Sequence, residues 1–127
     1  MVVCENGSIF STIGGGAVEY AVIKEAKEVA GADSARQLSF HLGQEFAMCC
    51  GGRMEFLIEP ILPILESLEK AAALLAQRIG ICITTSLNSS GKTVVPRNPG
   101  RPPSQSLSED SFIEFIAPKD RLVLFGA

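Results

Sequence analysis

The chain has 127 residues, 46% of them apolar and 20% charged, with a formal net charge of −3. That length suits one hydrophobic core rather than two, and the composition is that of a folded globular domain, not a disordered chain. The acidic balance argues against a general nucleic-acid binder, and no apolar run approaches the roughly 20 residues of a membrane span.

The start, Met1-Val2-Val3-Cys4-Glu5, lacks the basic and apolar regions of a signal peptide, so a cytoplasmic location is expected. Met1–Val3 and Ser8–Ser11 are short strand candidates around Glu5-Asn6-Gly7, where the Asn-Gly pair supplies the positive φ of a tight hairpin turn. Gly14-Gly15-Gly16 then leads into a helical period over 17–30, with Val18, Ala21, Val22, Ala26 and Val29 on one face and Gly31 as its stop.

From Arg36 to Leu42, Leu38, Phe40 and Leu42 alternate with polar residues, the period of a half-buried strand, and the single histidine, His41, points away from the core. A looser segment covers Gly43–Cys50, and a second alternating strand runs Arg53–Glu59 until Pro60 ends it. Ile61, Leu65, Leu68, Ala72, Leu75 and Ile79 trace the apolar stripe of a second helix over 61–79, with Pro63 tolerated in its first turn.

Ile81–Ser86 and Thr93–Val95 flank Asn88-Ser89-Ser90-Gly91 as a second hairpin. Between Pro96 and Asp110 the chain turns to proline, serine and charge, a composition that buries little and reads as a linker or exposed loop. Strands over Phe112–Ile116 and Leu122–Phe125 close the chain. The domain reading is therefore a core over 1–95, a loop over 96–110 and terminal strands over 111–127. The fold class is α+β or α/β, with a mixed sheet and at least two helices packed on it in a single domain.

Two motifs carry candidate chemistry. In Thr12-Ile13-Gly14-Gly15-Gly16, glycines allow close backbone approach, and amides at a helix start favour an anionic or polar ligand, the plain alternative being a flexible turn. Glu19 follows directly, as a balance for a ligand's donors or as an ordinary first-turn glutamate.

In Cys49-Cys50-Gly51-Gly52, a thiolate could hold a soft metal or carry sulfur, the plain alternative being a buried cysteine beside a turn. A four-cysteine zinc site is disfavoured because Cys4 and Cys82 stand singly, and all four cysteines read as free thiols.

The run Gly7-Ser-Ile-Phe-Ser-Thr-Ile-Gly-Gly-Gly-Ala-Val-Glu-Tyr20 resembles the glycine-turn signature of the XdhC/CoxI family of maturation factors for molybdenum hydroxylases. Cys49-Cys50-Gly51-Gly52-Arg53-Met54-Glu55, followed by Glu59-Pro60, resembles the family's second signature, and Ala17 sides with its XdhC-like branch. The approach over 112–127 resembles the lead into the family's second domain. Since the chain stops at Gly126-Ala127, the resemblance implies an amino-terminal domain with the carboxy-terminal Rossmann domain missing.

What the resemblance implies is an accessory factor, not itself an enzyme. It would transiently bind molybdenum cofactor (molybdopterin), shelter it while a cysteine desulfurase exchanges an oxo for a sulfido ligand, and pass it to a xanthine-dehydrogenase-type apoenzyme. The implied cofactor-binding set is Thr12, Gly14, Gly15, Gly16, Glu19, Cys49, Cys50, Gly51 and Gly52, with Cys50 as the metal ligand, no nucleic-acid or membrane partner, and a homo-oligomer left open. Two other readings stay open. One is a thiol-dependent redox or transfer enzyme using Cys50; the other is a structural interaction domain docking through the helix over 61–79.

Overall fold

Apolar side chains returning every third or fourth position form the first helix. In the computed structural model, which describes residues 1–32, 34–47, 49, 51–97 and 105–126, α1 runs Gly16–Val29 and buries Val18, Val22 and Val29. Ala21 and Ala26 lie half-buried on the same stripe, as the periodicity predicts. Contacts gather into two compact units, Met1–Pro63 with Leu87–Ser90, and Ile64–Ser86 with Gly91–Ala127.

The first unit opens with β1 (Val2–Val3) paired antiparallel to β2 (Ile9–Phe10). Gly7 turns the chain at φ 86°, its N–H donating to the Cys4 carbonyl at 2.9 Å, and Asn6 Oδ1 accepts the Ser8 N–H at 2.9 Å. After α1, strand β3 (Arg36–His41) pairs antiparallel with β4 (Arg53–Ile58), setting Leu38 opposite Phe56 and Phe40 opposite Met54. The Phe40 ring meets Phe46 edge-on at 5.3 Å and lies 6.0 Å from Phe56. Arg36, at the start of β3, is tied to α1 by Glu25 at 2.7 Å and Glu28 at 3.1 Å.

Where the sequence reads as loose, a single helical turn forms, α2 (Leu42–Glu45). It is too short for a 3.6-residue period to register. Its holding contacts are polar: the Glu45 carboxylate accepts the His41 N–H at 2.7 Å, and the Leu42 N–H donates to Gly52 at 3.0 Å. Leu42 thus leaves the strand predicted for it and is buried as the first residue of α2.

The second unit is built on α3 (Leu65–Ala76), preceded by a 3₁₀ turn at Leu62–Ile64. The helix is shorter at both ends than the expected 61–79. Pro63 falls in the 3₁₀ turn, and Arg78 stops the other end at φ 62°. Its inner face keeps the expected Leu68 and Leu75 but departs from the expected stripe at other positions. Ile64 and Ala71 are buried and Leu74 joins the core, while Leu65 is 40% exposed and Ala72 is exposed. Leu68, Ala71, Leu74 and Leu75 repeat at helical spacing as well as the predicted set does, so periodicity alone does not choose between overlapping stripes.

Four strands form its sheet in the order β6-β5-β8-β7, every pairing antiparallel: β5 (Ile81–Ser86), β6 (Lys92–Pro96), β7 (Ser106–Leu107) and β8 (Ser111–Ile116). Alternation along β5 buries Ile81, Ile83 and Thr85 and leaves Cys82, Thr84 and Ser86 half-buried. Ile81, Ile83, Val94 and Ala71 form the core, with Leu74, Leu75 and Ile116 packed on it.

The fold is α+β. Its strands fall into three antiparallel sheets of two, two and four strands among the described residues, which selects α+β over the α/β alternative. Residues 98–104 of the proline-rich stretch lie outside the described residues. The strand expected over Leu122–Phe125 does not form: residues 117–126 carry no regular structure, and Leu122, Leu124 and Phe125 are over four-fifths exposed. No helix among the described residues is long and apolar enough to cross a membrane.

Candidate functional site: a glycine turn closed on a carboxylate

Ser11 at φ 65° turns the chain out of β2, and Gly14, Gly15 and Gly16 follow at φ 124°, 78° and 73°. Side chains with a Cβ rarely adopt that region, which is why three glycines stand together. A Cβ built on any of them meets nothing within 4 Å, so backbone conformation, not crowding, demands glycine here.

The turn wraps round Glu19, one turn into α1. Glu19 Oε2 accepts the Ile13 N–H at 3.0 Å, the Gly15 N–H at 3.1 Å and the Thr12 hydroxyl, and Thr12 Oγ1 in turn accepts the Gly14 N–H at 3.0 Å. These bonds satisfy amides ahead of the helix that would otherwise lack partners. They hold the Glu19 carboxyl below its ordinary pKa, the Thr12 hydroxyl contributing most and the Ile13 amide next.

Thr12, Gly14, Gly15 and Glu19 are therefore brought together, with Glu19 Oε2 as the oxyanion on which the turn's own donors converge. Among the described residues no donor reaches its second oxygen, Oε1.

Two aromatic residues flank this turn in sequence and lie open: Phe10 is 62% exposed and Tyr20 74%. Sequence reasoning did not single them out. The signal available was an aromatic residue on each side of the glycine run, at the end of β2 and in the first turns of α1.

The second motif falls in the loop between α2 and β4. Cys49 is exposed with a free thiol, and Gly51 and Gly52 take φ 56° and 96°, the Gly52 carbonyl accepting from Leu42. Cys50, the metal ligand proposed from sequence, lies outside the described residues. Gly51 and Gly52 thus serve the loop geometry that leads into β4, and their bonding partners differ from those of the glycine turn.

Cys82 and Cys4 are free and half-buried. Cys82 faces away from the core side of β5, and Cys4 sits in the turn after β1. His41 is exposed, as its strand position predicts. Among the described residues no three His, Cys, Asp or Glu side chains gather to hold a metal.

No curated protein and no solved structure matches the chain. A family model does match it, that of the XdhC and CoxI family, over residues 1–41. The match contains β1, β2, the whole glycine turn, Glu19, α1 and β3, and stops before Cys49. The amino-terminal segment of this chain, which holds the carboxylate-closed glycine turn, is thus similar to the XdhC and CoxI family.

Proposed function

We propose that this chain takes part in maturation of xanthine-dehydrogenase-type molybdenum hydroxylases, binding molybdenum cofactor and assisting its sulfuration and insertion. The observation that carries the reading is the convergence of the Thr12 hydroxyl and the Ile13 and Gly15 amides on a single oxyanion, inside the segment that matches the family. Such a nest of donors at a helix start suits a phosphate or another anionic group.

The residues present fit the cofactor in kind. Amides and a hydroxyl can take its phosphate if Glu19 yields its place, Glu19 Oε1 can accept from ring N–H groups, and exposed Phe10 and Tyr20 offer flat surfaces for a heterocycle. When bound, the cofactor would bring a molybdenum centre, for which a cysteine thiolate is a soft donor. Cys49 and Cys50 are the candidates, with Cys50 favoured because it directly precedes Gly51-Gly52. A cysteine desulfurase and a hydroxylase apoenzyme are the partners this role requires.

The test is to purify the protein from cells that make molybdenum cofactor and to measure bound molybdenum together with the fluorescence of the oxidised pterin. Stoichiometric metal and pterin are expected. Cys50→Ala should lose molybdenum while staying folded, and Cys49→Ala should be milder. A parent protein carrying neither metal nor pterin refutes the cofactor reading. Unchanged binding by both cysteine variants, singly and together, removes the thiol from it and leaves the glycine turn alone.

A further inference from the structure

We propose that the second unit carries a separate site, unrelated to the glycine turn, that takes an amphipathic anion: an apolar body bearing one carboxylate or phosphate. The site is a half-open groove of about 500 Å³ between the end of α3 and the segment following β8. That size lies within the range of small-molecule sites, roughly 300–1,000 Å³. Leu75, Ile116 and Pro118 give it an apolar floor, and Arg78, Lys119 and Arg121 line it with charge.

Two observations point to an anion. The chain as a whole is acidic, yet three of its eleven basic residues converge here, and none of the three forms an ion pair among the described residues. Asp120, between two of them in sequence, does not line the groove.

The second observation is the placement of Arg78. The Arg78 N–H bonds the Leu75 carbonyl and the Ile79 N–H bonds the Leu74 carbonyl, both at 2.9 Å, which is the double closure of a helix end at the position that glycine ordinarily fills. Arg78 holds it at φ 62°, against the preference of any residue with a Cβ. Its guanidinium reaches across to the Lys119 carbonyl at 3.3 Å and so stands over the groove. An arginine kept where glycine is the easier choice is accounted for by what its side chain binds.

The experiment is a titration of the full chain with octanoate, followed by amide NMR, with octanol as the neutral control of equal apolar body. Saturable shifts at Leu75, Arg78, Ile116 and Lys119 are expected with octanoate, and binding at least about tenfold weaker with octanol, because the charged contacts are lost. Arg78→Gly should raise the melting temperature, by restoring the favoured residue, while weakening octanoate about tenfold. That combination distinguishes a binding role from a structural one. Lys119→Gln with Arg121→Gln should weaken octanoate further. Equal affinity for octanol, unchanged octanoate binding by Arg78→Gly, or response only to anionic vesicles and not to dissolved octanoate would each overturn the proposal.

Discussion

The β5-centred sheet of the second unit and the glycine turn of the first are held in opposite ways. Around β5, Ile81 is wholly buried, and Ile83 and Val94 are 5% and 2% exposed, so position there is fixed by apolar side chains that have one dry place to go. In the turn, residues 12–16 are exposed apart from the half-buried Ile13, and one carboxylate oxygen fixes the backbone by accepting three donors. The sheet is therefore robust to what its surface carries. The turn depends on one side chain and on three residues free to adopt positive φ.

The largest effect that this contrast predicts is at Ile81. Ile81→Ala should destabilise the protein by about 2–5 kcal/mol, measured by urea denaturation, since the cavity opens where the sheet and α3 meet. A loss under about 1 kcal/mol would mean that burial does not set the sheet's position. Next comes the facing of α3. Ala71→Leu should cost about 1–3 kcal/mol through overpacking, and Ala72→Leu close to nothing; the reverse order would restore the stripe read from sequence.

In the turn, Gly15→Val should cost about 1–2 kcal/mol from conformation alone, because its φ of 78° disfavours any Cβ while the space around it is open. It should lower cofactor retention more than it lowers stability. A folded Gly15→Val variant that keeps the cofactor as well as the parent would separate the turn from binding.

The smallest effect is a titration. The Glu19 carboxyl lies below its ordinary pKa in the folded protein, so its contribution to holding the turn is present above the ordinary value and is lost as pH falls through the lower, folded one. Hydrogen exchange at the Ile13 and Gly15 amides should accelerate over that acid window while the β5 amides stay protected. Simultaneous loss of both would show that the two regions open as one.

Sequence legibility follows the same division. α1 and β5 announce themselves because burial imposes a period: Val18, Val22 and Val29 at helical spacing, and Ile81, Ile83 and Thr85 at alternate positions. The facing of α3 is less legible, because Leu65, Leu68, Ala71, Ala72, Leu74 and Leu75 support two overlapping stripes. Leu122–Phe125 has a strand's composition but no partner strand among the described residues, and composition does not supply one.

At the candidate site, the glycines could be read because positive φ selects them. Glu19's role as the acceptor inside the turn could not, because any first-turn glutamate has the same sequence signature. The short turn α2 escaped for a similar reason, since what secures it is a few polar contacts, from Glu45 and to Gly52, rather than a pattern.

The strand order of the second sheet sets the order in which a nascent chain can complete it. β5 lies between β6, its neighbour across the turn at 87–91, and β8, which is made only after residues 97–110. The β5–β6 hairpin can close as soon as it is synthesised, a local event of microseconds. Until Ser111–Ile116 emerges, however, the other side of β5 offers bare amides and carbonyls in the most buried strand of the sheet. Late arrival of β8 therefore makes this brief interval of synthesis the one in which the second unit is most open to pairing with another chain.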